Sequence, residues 1–105
     1  MRMISSVEDV LSQPQLLRGL ENTPLEVLNK LKNTQGWRLE RLSQGSHAGK
    51  GYILRQYNEA GSRTGRMIQW HPGGGHHGAH PYWKVSSPEN RIVRIGPQFE
   101  SKEDS

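Results

Sequence analysis

At Gly36 the spacing of apolar residues changes from helical to alternating, and that change limits what the chain can become. Upstream, Thr23-Pro24-Leu25-Glu26 has the form of a helix start, with a capping hydroxyl, proline at the first helical position and glutamate three residues after the cap. Leu25, Val27, Leu28 and Leu31 follow at helical spacing and Gly36 is a stop signal. These features predict a main helix at about 24–34. Downstream, Trp37-Arg-Leu39-Glu40 alternates apolar with charged residues, and Tyr52–Tyr57, Arg66–Trp70, Tyr82–Ser86 and Arg91–Ile95 are rich in strand formers. A loop at Gly45–Gly51 and a turn at Asn58–Gly61 separate the first three of them. The expectation is an α+β fold: a short N-terminal helical lead-in, then one main helix packed on an antiparallel meander of four to five strands.

A chain of 105 residues is one domain. Residues 1–22 read as a polar lead-in, 23–95 as the α+β core and 96–105 as a frayed tail. Within the lead-in, Ser6–Leu11 suits one short helix before Pro14, and Leu16-Leu17 suits docking onto the body. Leu, Ile, Val and Phe number only 21, close to the composition of disordered chains, so three Trp and three Tyr must supply much of the buried area.

Cysteine is absent, which excludes a disulfide framework, a thiol nucleophile and a thiolate zinc site. No apolar run approaches the roughly 20 residues that cross a bilayer, and the start MRMISSVEDV lacks the apolar stretch of a signal peptide. The charge is uneven. Residues 30–95 carry eleven Lys or Arg against three acids, a local net of +8 within a chain of +4. Such a segment suits a polyanionic partner, and it equally suits a solvated basic surface.

Four of the five histidines lie within residues 71–80, between two strands and beside Gly73-Gly74-Gly75. Histidine exchanges protons near neutrality, and a glycine run lets backbone amides approach an anion. His71, His76, His77 and His80 have the donor type for a divalent metal, but no carboxylate stands between Glu59 and Glu89 to support one. A solvated polar loop is the plain alternative. The glycine run is not a phosphate-binding P-loop, because no Lys-Ser/Thr and no helix follows it. No Asp between Asp9 and Asp104 is present to orient a serine–histidine pair, and paired-carboxylate hydrolysis fails likewise. What remains is acid–base chemistry by histidine with Lys84, Arg66 and Arg55 stabilising charge. Metal-free RNA cleavage fits this, because the substrate's own 2′-OH attacks. Trp37 and Trp70 read as core more than as base platforms. Tyr82 and Trp83 alternate on one strand, so one belongs to the core and the other is free to stack on a base. Lys50 reads as a loop charge, whereas Arg55 and Arg66 inside strands invite a role.

The stretches Gly49-Lys50-Gly51-Tyr-Ile-Leu-Arg55, Thr64 through Gly78 with its Trp-His-Pro-Gly-Gly-Gly-His-His run, and Pro81-Tyr-Trp-Lys-Val-Ser86 carry a resemblance. Together they resemble small C-terminal toxin domains of bacterial polymorphic and contact-dependent growth inhibition systems. The helix-then-meander order is similar to the barnase–EndoU–colicin–RelE group of ribonucleases. The resemblance spans about residues 14–95 and implies an endoribonuclease toxin that cleaves RNA, often tRNA, without a cofactor in the cytoplasm of a target cell. It also implies a cognate immunity protein that blocks the site, and no membrane partner. The catalytic candidates are His71, His76, His77, His80, Lys84 and Arg66, with Arg55, Lys50, Trp83, Tyr82 and Arg94 as RNA-binding candidates. The acid and base among the histidines stay unassigned. A non-catalytic basic binding module and a His-cluster metal hydrolase are the competing readings.

Overall fold

The computed structural model describes Ile4 and residues 6–41, 51–73, 80–88, 90–97 and 100–103. Helix α1, Val7–Ser12, starts at Ser6, whose hydroxyl accepts a hydrogen bond from the Asp9 amide at 3.2 Å. Glu8 and Asp9 place negative charge at the positive end of its dipole. Val7, Val10 and Leu11 form one buried stripe. Pro14 ends the α-helical path, a 3₁₀ turn covers Pro14–Leu17, and Leu17 is fully buried. The lead-in is polar by composition, yet these four apolar side chains make it part of the core.

Helix α2, Pro24–Leu31, is shorter than its pattern suggests. Both the hydroxyl and the amide of Thr34 turn back to the Leu31 carbonyl, at 2.9 Å and 3.2 Å, and so close the last turn early. At the other end the Thr23 hydroxyl makes no cap. It donates at 3.5 Å to the Leu20 carbonyl behind it, so the capping-box reading of residues 23–26 is corrected. Gly36 holds φ at +86°, and a Cβ there would stand 3.2 Å from the Tyr57 carbonyl oxygen, so both conformation and space favour glycine.

Strands β1 (Trp37–Arg41), β2 (Tyr52–Tyr57), β3 (Arg63–His71), β4 (Tyr82–Ser87), β5 (Arg91–Ile95) and β6 (Glu100–Glu103) form one antiparallel sheet in chain order. The α+β meander is as the alternation predicts, with one addition. Residues 100–103 pair with β5 as a sixth strand, so the frayed-tail reading is corrected for them. A β-bulge interrupts the β2–β3 ladder between Arg55 and Tyr57.

The register fixes which side chains share a face. Leu39, Leu54, Ile68, Val85 and Val93 stand opposite one another across five strands. With Trp37, Trp83 and Ile95 they pack against Val7, Val10, Leu11, Leu17, Val27, Leu28 and Leu31 of the helical layer. Burying each aliphatic side chain is worth roughly 1.5–3 kcal/mol. Two hydrogen bonds tie the layers together: Trp70 Nε1 donates to the Glu21 carbonyl and Asn90 Nδ2 donates to the Leu11 carbonyl, both at 2.8 Å. Among the described residues no helix is long and apolar enough to cross a membrane.

Candidate active site

The helices cover one face of the sheet, so alternate residues of each strand go to the other. On that open face the rows are Arg38–Arg55–Met67–Ser86–Ile92 and Glu40–Ile53–Gln69–Lys84–Arg94, followed at one end by His71 beside Tyr82. Arg38, Arg55, Lys84 and Arg94 therefore share this face of strands β1–β5 with Glu40, and Arg63 pairs with Tyr57 at its margin. The surplus of positive charge is concentrated where no helix packs.

The acid is already engaged. Its Oε2 accepts from the Tyr57 hydroxyl at 2.5 Å and its Oε1 lies 3.3 Å from Arg55 Nε, while the Arg38 guanidinium sits over the Tyr57 ring at 4.7 Å. Arg55 is thus partly neutralised at the β1–β2 edge. Lys84 and Arg94, neighbours across β4 and β5, lie toward the other side of the same face.

His71 and Tyr82 form the other pole. Their rings stack with centroids 4.8 Å apart and planes 20° from parallel. The Gly73 amide donates to His71 Nδ1 at 3.1 Å, a return made possible by the φ of +90° at Gly73. With Nδ1 accepting, the neutral ring carries its proton on Nε2. Burial pushes the Tyr82 hydroxyl above its ordinary pKa of 10.0, against the lowering influence of the Arg94 charge and of its hydrogen bond with Arg94. The phenol therefore stays protonated and fixes both neighbours: its ring supports His71 and its hydroxyl engages Arg94.

The candidates from the sequence divide accordingly. His71, Tyr82, Lys84, Arg94 and Arg55 share the open face. Arg66 does not: it has the parity of Ile68, points to the helical side and pairs with Glu8 of α1 at 3.5 Å. Trp83 is fully buried beneath the helices, so it stacks on no base, and Tyr82 is only 7% exposed. The expectation that one of these two rings is free for a base is corrected, because the outward one is occupied by His71 and Arg94. His80 is exposed just before β4. Lys50, His76 and His77 lie outside the described residues, and among the described residues no three His, Cys, Asp or Glu side chains gather as a metal site needs.

Glu40 escaped the sequence reading. No carboxylate lies near the histidines in sequence between Glu59 and Glu89, whereas register brings Glu40 in from β1 across two strand pairings. Its signal was the alternation Trp37-Arg-Leu39-Glu40, which puts Glu40 opposite in face to Leu39. No family model matches the chain, and comparisons with curated proteins and with solved structures find no match either.

Proposed function

We propose that the chain is a metal-independent endoribonuclease acting at the open sheet face, of the toxin type that its sequence resembles. The observation that supports this best is the meeting of His71, Tyr82, Lys84 and Arg94 on the one face without helices, with Tyr82 joining the imidazole to the guanidinium. RNA cleavage needs cations on the phosphorane, a proton acceptor for the 2′-OH and a donor for the 5′-oxygen. Lys84 and Arg94 suit the first task. The proton donor would come from the histidines, His71 among them. The Nδ1 lone pair of His71 is taken by Gly73, so the base role falls to another group, with His76, His77 and His80 as candidates. Substrate RNA, a tRNA among others, would be met in the cytoplasm of a target cell. An acidic immunity protein would block the face by complementary charge.

A second reading has an observation in its favour. With Glu40 held by Arg55 and Tyr57 and His71 held at Nδ1, the face is well arranged to bind phosphate without cleaving it. Incubation with total RNA in EDTA decides between them. The ribonuclease produces fragments ending in 2′,3′-cyclic phosphate and 5′-hydroxyl, and Lys84→Ala slows their formation by about 10²–10³. Intact RNA, retained by the wild type and released by Lys84→Ala, establishes the binding module instead.

A further inference from the structure

On the helical side of the sheet, at the end where β2 begins and β3 finishes, a groove of about 410 Å³ opens between the start of α2 and two aromatic rings. We propose that this groove is a subsite for one unpaired nucleobase of the RNA strand, a proposal that rests on the ribonuclease reading and gives it a substrate class: single-stranded RNA.

The floor is Tyr52 and Trp70, cross-strand partners whose rings lie 5.9 Å apart at 34°. Trp70 is held by its Nε1 bond to the Glu21 carbonyl, so its ring presents carbon surface in a fixed orientation. A fixed ring loses little freedom when a ligand stacks on it. Leu25, 44% exposed, stands on the wall, an unusual position for a large apolar side chain in a chain so poor in them. Asn22 and Glu26 line the rim. An amide and a carboxylate there can read a base edge, the carboxylate accepting from ring or exocyclic N–H groups. Arg41 lies over Tyr52 at 5.5 Å and places a cation where the same nucleotide's phosphate would follow. The volume falls near the lower end of small-molecule sites, roughly 300–1,000 Å³, a size suited to one flat heterocycle.

The position joins this groove to the open face. Trp70 and His71 are consecutive residues of β3 and project to opposite faces, with Tyr52 beside the first and Tyr82 beside the second. A duplex cannot fill the groove, because its bases are stacked inside.

The test uses the full chain and an uncleavable 2′-O-methyl single-stranded oligonucleotide carrying 5-iodouracil at successive positions. Photocrosslinks to Trp70 or Tyr52 from one position, mapped by peptide mass spectrometry, support the subsite. Tyr52→Leu should weaken binding roughly 5- to 150-fold, the factor equivalent to about 1–3 kcal/mol of base stacking. An abasic residue at the crosslinking position should weaken binding to the wild type by a similar factor and leave binding to Tyr52→Leu unchanged. Glu26→Gln, an exposed replacement that spares the core, should also weaken the single strand while duplex binding holds. If the abasic strand binds as tightly as the intact one, or crosslinks avoid both rings while Lys84→Ala still weakens binding, the groove is no base site and the ribonuclease reading stands. If no oligonucleotide binds, both are overturned.

Discussion

The two faces of the sheet are made from the same strands, yet they differ in every property that matters for function. One carries Leu54, Ile68, Val85 and Val93, all nearly or wholly inaccessible, under a helical layer that adds seven more aliphatic side chains. The other carries Lys84, Arg94, Arg55 and Arg38 with Glu40 and an imidazole. Neighbouring residues such as Trp83 and Lys84 therefore have unrelated duties. Parity sorts most of the aliphatic core from most of the charge, with Ile53, buried on the outer face, as an exception, and substitutions one position apart should separate in the same way.

The largest effect is expected on the covered face. Leu54→Ala should cost about 2–5 kcal/mol, because the site is fully buried and bounded by neighbours on β1 and β3. Its chemical-denaturation midpoint measures this, and a loss under 1 kcal/mol would mean the layers are loosely packed. Lys84→Ala tests the other face. Cleavage should fall by about 10²–10³, the worth of one positioned charge-stabilising donor, while the denaturation midpoint moves little. A large loss of stability with full specific activity would reverse the assignment of the faces. A smaller effect concerns binding: the single-strand salt slope should drop by about 0.7 in Lys84→Ala, the share of one phosphate contact, and stay unchanged in Arg66→Ala. Equal slopes for the two variants would erase the distinction drawn between them.

The smallest effect lies at high pH. Because burial holds the Tyr82 pKa above 10.0 in the folded chain, the protonated phenol is favoured there relative to the unfolded state. Its stabilising share is complete below pH 10.0 and is lost as pH rises through the folded-state value. Tyr82→Phe should therefore lose stability less steeply than the wild type above that pH, by denaturation midpoints taken in parallel. Identical curves would show that Tyr82 is not the group responsible.

Much of this division was readable in the sequence. The alternation in Trp37–Glu40, Arg66–Trp70 and Arg91–Ile95 marks strands and assigns their faces, and it places Lys84 with the outward set. Arg66 shares the parity of Ile68, so its inward position is readable too, although an arginine within a strand suggests a functional role by residue type alone. Other features were not local. Glu-Ser-Lys-Glu has little strand propensity, and β6 forms because the edge of β5 offers unpaired backbone groups. Thr23 and Thr34 each had alternative carbonyls within reach, which moved one helix end and emptied the cap. Tyr82 had the outward parity expected of a stacking ring. Its occupation by His71 and Arg94 depends on partners that only the folded register supplies.

The unbroken strand order has a kinetic consequence. His71, Tyr82, Lys84 and Arg94 belong to three successive strands, so the outer face assembles by closing short hairpins. The covered face needs far longer closures: Trp70 reaches back 49 residues to Glu21, and Asn90 reaches back 79 to Leu11. Each doubling of loop length adds about 0.6 kcal/mol of entropic cost, and non-local contacts slow folding. Helix docking, the step that confers stability, is thus the slow one. The charged surface of Lys84 and Arg94 takes shape earlier, on a sheet still open on both sides.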